Sequence, residues 1–212
     1  MKTVRPSSFI VKVCGLKQQD NLLKVDDLNV DFIGMIFYEP SKRYAGASAL
    51  NLTKVKAKKV GVFVNADLEE IKKTKKDFQL DVAQLHGDES VDFCKKVNEL
   101  GLIVWKVFGV DEQFDFNDLT PYSPFVQLFL FDTKSPLHGG TGIKFNWNRL
   151  KDLNPDIRYL LSGGIGPDDL EQLKLLNLPG LMGVDLNSRF ESTPGIKNTD
   201  QLKKFIDGLK NS

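Results

Sequence analysis

Short apolar runs rich in β-branched and aromatic residues recur along the chain, each followed by a polar stretch. The runs are Phe9 to Val13, Phe32 to Phe37, Val60 to Val64, Val82 to Leu85, Ile103 to Phe108, Val126 to Phe131, Tyr159 to Leu161 and Leu181 to Leu186. Near-continuous apolar character marks strands covered on both faces, as in a parallel sheet whose outer face is buried by helices. Between the runs, Leu22-Leu23-Val25, Leu68-Ile71, Val91-Phe93-Cys94-Val97-Leu100, Leu170-Leu173-Leu176 and Leu202-Phe205-Ile206-Leu209 fall at spacings suited to one helical face. Asn65-Ala66-Asp67, Asp88-Glu89-Ser90 and Pro167-Asp168-Asp169 place acceptors where helix N-termini leave N–H groups unpaired. The weakest helical stretch is Asp111 to Asp118, which Asn117 and Asp118 end early.

Eight strand-helix units in 212 residues average about 26 residues each, near the minimum for a parallel crossover. That count favours an α/β fold of the closed (β/α)8 barrel type, a TIM barrel, over an open doubly wound sheet. No linker or composition shift divides the chain, so residues 1–212 are expected to form a single domain, with 1–7 a short lead-in.

Composition narrows the function classes. The 29 basic and 28 acidic residues leave a net charge of +1, giving no case for nucleic-acid or membrane partners and pointing to a small molecule. No leader or membrane-spanning run is apparent, and Cys14 and Cys94 form no disulfide framework, so a cytoplasmic protein is expected. With His86 and His138 the only histidines, a Cys/His metal site is not expected. The run Lys72-Lys73-Thr74-Lys75-Lys76 reads as a solvated helix face.

In such a barrel the chemistry sits at the C-terminal ends of the strands. Cys14, closing the first run before Gly15, is either a small core residue or a base or nucleophile whose pKa a cation such as Lys12 must lower. Cys94, mid-helix, reads as core. Asp132 follows the apolar run Gln127 to Phe131, where poor solvation favours the protonated form of a general acid; the alternative is a loop cap. Asp185 either binds hydroxyls or orients a neighbour, and His86 is a substrate ligand or a hydrogen-bonded structural residue. Ser162-Gly163-Gly164-Ile165-Gly166 after the seventh run and Asn187-Ser188-Arg189 after the eighth occupy the positions where barrels hold phosphate through backbone N–H groups. Gly139-Gly140-Thr141-Gly142, in the long loop after Asp132, suits a lid that excludes water. Arg43, in Ser41-Lys42-Arg43-Tyr44, offers a fork for a carboxylate.

Taken in order, Lys12-Val13-Cys14-Gly15-Leu16, Ser41-Lys42-Arg43-Tyr44, Val60 to Asn65, Gln84-Leu85-His86-Gly87, Asp132-Thr133, Gly139 to Gly142, Ser162-Gly163-Gly164 and Gly183-Val184-Asp185 resemble the phosphoribosylanthranilate isomerase family of tryptophan biosynthesis, essentially end to end. The resemblance implies an Amadori rearrangement of N-(5-phosphoribosyl)anthranilate to 1-(2-carboxyphenylamino)-1-deoxyribulose 5-phosphate, with no cofactor and no metal. It implies Asp132 as general acid, Cys14 as general base, Arg43 on the anthranilate carboxylate and Asp185 on the sugar, with His86 also expected to bind substrate. Phosphate is implied at Gly163, Gly164 and the backbone of Ser188 and Arg189. Ser-Ser-Gly is usual in the family where this chain has Asn187-Ser188-Arg189, so Arg189 is expected either to add a phosphate contact or to turn away into a salt bridge. Asn146, where the family often has Asp, still suits a helix cap. A monomer and a homodimer are both compatible with the sequence. The competing readings are another phosphosugar barrel, such as indole-glycerol-phosphate synthase or the histidine-pathway ketol isomerase, and a non-catalytic phosphometabolite binder. The first two would place a lysine and glutamate, or an aspartate pair, at the mouth, and the third needs neither Cys14 nor Asp132.

Overall fold

The computed structural model describes residues 9–133 and 144–210. Eight parallel strands, β1 (Ile10–Val13), β2 (Phe32–Ile36), β3 (Lys58–Phe63), β4 (Val82–Leu85), β5 (Ile103–Val110), β6 (Leu128–Thr133), β7 (Tyr159–Leu161) and β8 (Leu181–Leu186), pair in chain order and close into a barrel. The closing seam runs from Ile10 opposite Gly183 to Val13 opposite Leu186. Each strand lies on one of the apolar runs, because a sheet buried on both faces leaves little room for polar positions.

The coverage outside the barrel is less regular than eight strand-helix units require. Five α-helices are present among the described residues: α1 (Gln19–Asp26), α2 (Leu68–Phe78), α3 (Val91–Glu99), α4 (Leu170–Leu175) and α5 (Thr199–Lys210). After β5 and β6 the crossovers carry 3-10 turns, Phe116–Tyr122 and Trp147–Leu150. The weak helical stretch at Asp111 to Asp118 is therefore shifted along the chain to a 3-10 segment that contains Pro121 and stops one residue after it, since proline does not support a continuing α-helix. Between β2 and β3 there is no helix. The chain instead returns to the barrel through a bridge of Tyr44 to Ile36, and the Asp26 carboxylate accepts the N–H groups of Lys56 and Ala57. Of the capping expectations, Asp67 accepts from Glu70, Ser90 from Phe93 and Asn146 from Asn148, all at the backbone N–H, whereas Asp169 at the start of α4 caps none of that helix's N–H groups and instead accepts the Gly166 N–H. A hairpin that the apolar pattern does not announce, β9 (Glu191–Thr193) and β10 (Ile196–Lys197), turns at Pro194-Gly195 after β8.

Two packed shells hold the barrel. The outer one joins residues such as Val11, Ile33, Phe63, Phe131 and Tyr159 to helix residues such as Leu22, Ile71, Val97, Leu173 and Ile206. The inner one fills the barrel with Val60, Val62, Val82, Trp105, Val107, Leu128, Leu130 and Leu160. Cys94 is buried in the outer shell, and burial pushes its thiol up to about 11, as suits core rather than chemistry. Lys72 and Lys73 of α2 project into solvent. No helix among the described residues is long and apolar enough to cross a membrane.

Candidate active site

At the C-terminal end of the barrel the inner shell turns from apolar to charged. Lys12, which follows Ile10 on the inner face of β1, is fully buried and donates through Nζ to Asp185 Oδ1 at 2.8 Å. Burial works against the Lys12 ammonium, yet Asp185 and Cys14 beside it hold its pKa above the ordinary 10.5. Burial pushes Asp185 up in turn, opposed by Lys12 and Lys197. We take this buried pair as an ammonium and a carboxylate, since an ammonium held this firmly needs its counter-charge in contact.

Cys14 stands one inward position further along the chain, with its backbone N–H on the Leu186 carbonyl at 2.9 Å. Opposite it Gly34 leaves space: a Cβ there would stand 2.8 Å from the Cys14 Sγ and 3.2 Å from the Lys12 Cε. The expectation that the Cys14 pKa must be lowered is not met by the surrounding side chains. Burial pushes the thiol above its ordinary 9.0, and the attraction of Lys12 and Lys197 offsets only part of that desolvation.

Asp132 sits across the mouth on β6, 8% exposed, and burial raises its pKa from 3.8 to about 6 although Oδ1 accepts the Thr133 N–H at 2.7 Å. Asp185 adds to the rise and Lys12 opposes it. A carboxyl in this environment remains about one-tenth protonated at pH 7, far more than an ordinary aspartate, which is the direction a general acid needs. His86 Nε2 lies 3.7 Å from Asp132 Oδ2, and Nδ1 lies 3.4 Å from Nε2 of Gln84. The loop carrying His86 is pinned from below. Glu89 accepts the N–H groups of Asn65 and Gly87, and Lys106, 2% exposed, contacts Glu89 at 3.1 Å while donating to the Gly87 carbonyl at 2.7 Å.

On the other side of the mouth, Arg43 comes from the helix-free β2–β3 connection. Its Nε and Nη2 grip the Glu191 carboxylate of β9 at 2.9 and 2.7 Å. Glu191 also accepts from Lys197 Nζ at 2.6 Å, and Lys197 reaches Asn187 Oδ1 at 2.7 Å. Burial would raise the Glu191 pKa, but Arg43 and Lys197 hold it below the ordinary 4.5. Gly163 and Gly164 both take left-handed backbone, φ 83° and 66°, and a Cβ on Gly163 would collide with the Asp132 carboxyl. Ser188 opens a short 3-10 turn after β8, while the exposed Arg189 lays its chain over Gly166, so that Nε would be 3.2 Å from a Cβ there. No ion pair of Arg189 is found among the described residues. The expected lid, Gly139 to Gly142, and His138 lie outside the described residues.

Together these groups line a cavity of about 580 Å³ that includes Cys14, Arg43, His86, Asp132, Gly163, Gly164, Asp185 and Ser188, with Arg189 just outside. A more open hollow of about 430 Å³ between Val126 and Arg158, at the opposite end of β6 and β7, contains none of them. A family model described as N-(5'-phosphoribosyl)anthranilate (PRA) isomerase matches residues 11–208. The chain belongs to that family. The phosphoribosylanthranilate isomerase of Parabacteroides distasonis is 39% identical over 206 residues, covering 95% of this chain and 93% of that one. Among solved isomerases, that of Thermotoga maritima is 32% identical, with a TM-score of 0.81 over 96% of this chain and 99% of that chain. Another, 29% identical with a TM-score of 0.78 over 96% and 99%, is described as a complex with reduced 1-(o-carboxyphenylamino)-1-deoxyribulose 5-phosphate.

Sequence reasoning missed Glu191 and Lys197, and it gave no separate role to Gln84. The first two belong to a hairpin too short to show periodicity, and the signal that remained was the turn Thr193-Pro194-Gly195. Gln84 stood in view as a polar residue at an alternate position of an otherwise apolar run.

Proposed function

We propose that this isomerase converts N-(5-phosphoribosyl)anthranilate to 1-(2-carboxyphenylamino)-1-deoxyribulose 5-phosphate, with Asp132 as general acid and Cys14 as general base. The observation that carries the reading is the pairing of a carboxyl raised to about 6 with a thiol beside a buried ammonium, across one cavity. Protonated Asp132 gives its proton to the furanose ring oxygen as the C1–O bond breaks, and the nitrogen lone pair forms a C1=N iminium. The Cys14 thiolate then takes the proton from C2; the C2–H electrons become the C1=C2 bond and the iminium π electrons return to nitrogen, leaving an enolamine that tautomerises to the ketone. Lys12 stabilises the thiolate, and the positive charge of the iminium, formed where burial otherwise disfavours the anion, works in the same direction.

The substrate is oriented by charge at its ends. Arg43 takes the anthranilate carboxylate, with Ile36, Val62 and Val64 as the apolar wall for the ring. Gly163, Gly164 and the backbone of Ser188 and Arg189 take the phosphate, and the Arg189 chain over Gly166 supports the reading in which its guanidinium adds to that site. Asp185 and His86 contact the sugar. No metal or organic cofactor enters the scheme.

Purified protein given freshly prepared phosphoribosylanthranilate should turn it over, followed by loss of substrate fluorescence. Cys14→Ser and Asp132→Asn should each lower kcat by more than about 100-fold. Near-parental rates in both variants would remove these roles, and an inert parent protein would remove the activity.

A further inference from the structure

Beneath the His86 loop the barrel wall encloses a complete ion pair. Lys106 of β5 and Glu89 of the β4–α3 connection meet at 3.1 Å, Nζ to Oε2, with side chains only 2% and 3% exposed. Taking two charges out of water costs more than their attraction returns unless further hydrogen bonds satisfy both, and an apolar pair of similar volume is often as stable or more so. What this pair supplies is therefore to be sought in the groups it holds. Neither residue lines the cavity, so neither acts on a ligand by contact.

The groups converge on Gly87. Lys106 Nζ donates to the Gly87 carbonyl at 2.7 Å and to that of Val107 at 3.2 Å. The Glu89 carboxylate accepts the Gly87 N–H at 3.0 Å on both oxygens, and its Oε1 also takes the Asn65 N–H at 2.9 Å. The peptide joining His86 to Gly87 is thus fixed by the anion and the next one by the cation. Asn65, in left-handed backbone at φ 52°, closes the third side: its Oδ1 accepts the Asp88 N–H at 2.8 Å and leaves no room for a Cβ on Gly87. On the barrel side the His86 N–H is held by the Phe63 carbonyl at 2.8 Å. The backbone is fixed before and after a ring that lines the cavity, with Nε2 3.7 Å from Asp132 Oδ2.

We propose that Glu89 and Lys106 are positioning residues for His86, which by clamping both peptide units of Gly87 fix where the imidazole stands at the mouth beside Asp132. The inference rests on the substrate and the His86 contact assigned above. Hydrogen bonds to an ammonium or a carboxylate are roughly twice as strong as neutral ones, so a charged clamp holds the loop more firmly than an amide or hydroxyl would. Firmness matters here because a misplacement of about 1 Å can cost about 100-fold in rate. The pair acts through His86 alone, with no part in proton transfer.

The test separates position from stability. Replacing both charges at once, Glu89→Gln with Lys106→Met, keeps the volume and leaves no buried charge unpaired, so Tm should hold or rise. kcat/KM should nonetheless fall at least about tenfold. In a His86→Gln background the same replacement should change kcat/KM by less than about twofold, because its target is gone. His86 and His138 are the only histidines, so the His86 ring signals, assigned with His138→Gln, should also shift in the proton NMR spectrum of the double variant. Should the double variant fail to fold, Glu89→Gln alone, which keeps an acceptor for the Gly87 and Asn65 N–H groups, carries the same comparisons. The proposal is overturned if kcat/KM stays within about twofold of the parent, or if the ring signals do not move. It is equally overturned if the fall is as large without His86 as with it, which together with a lower Tm would mark a purely structural pair. An inert parent protein would count against the substrate assignment instead, and the ring signals alone would then decide the positioning.

Discussion

Asp132, the proposed general acid, is held in its buried position at the expense of stability. A carboxyl whose pKa rises from 3.8 in the unfolded chain to about 6 in the folded protein binds its proton more tightly when folded. Its contribution is therefore most favourable below pH 3.8 and is lost as pH rises through 6, amounting to about 3 kcal/mol at neutrality. Asp132→Asn removes the ionisable group, so its melting temperature should exceed the parent's by several degrees at pH 8, with the difference vanishing near pH 4. Calorimetric scans at the two pH values check this, and an equal or lower Tm at pH 8 would mean that the buried carboxyl carries no such penalty. At this scale the sequence was partly legible. The end of an apolar run showed that Asp132 would be poorly solvated, but not that Cys14 would be desolvated strongly enough to outweigh Lys12, because the balance depends on how completely both are enclosed.

At the scale of elements, the site is assembled by pieces that do not belong to the strand-helix repeat. The Arg43 segment and the β9–β10 hairpin meet through Glu191, whose carboxylate is shared by Arg43, Lys197 and the Gly195 N–H. Glu191 fixes the Arg43 fork while Lys197, held by the same carboxylate, holds Asn187 at the start of the proposed phosphate loop. Glu191→Gln keeps the shape but removes the charge that holds both cations. It should raise KM by about tenfold with kcat within about threefold, the signature of lost uniform binding. A fall in KM in steady-state assays would instead show that Glu191 competes with the substrate carboxylate for Arg43. Strands were readable because burial on both faces leaves a local mark in composition. The hairpin and the helix-free connection were not, since a two- or three-residue strand and an irregular segment are specified by partners distant in sequence.

For the molecule as a whole, closure is the demanding step. The seam between β1 and β8 joins residues at opposite ends of the chain and leaves no sheet edge within the barrel. Gly183 sits in that seam with no room for a Cβ, which would collide with the Ile10 carbonyl oxygen. Gly183→Ala should therefore destabilise the fold by about 2 kcal/mol or more, in the range of overpacked sites, and the loss should appear in the urea midpoint of the intact chain. An unchanged midpoint would show that the seam yields without cost. Closure also places Lys12 of the first strand against Asp185 of the last, so the charge that tunes the thiol exists only in the finished barrel.

The absence of a helix between β2 and β3 reaches beyond coverage of the barrel wall. Asp132 on β6 and Cys14 just past β1, the proposed acid and base, are placed by strands with neighbours on both sides, whereas Arg43 rides on an irregular segment tied down by the Tyr44 bridge and by Glu191. On the proposed assignment of Arg43 to the substrate carboxylate, replacements in that segment should change substrate selection while leaving the strand-borne groups in place. On that assignment substrate choice and proton transfer sit on separable parts of the fold, and the unhelical connection is where a variant selected for a different substrate is expected to change first.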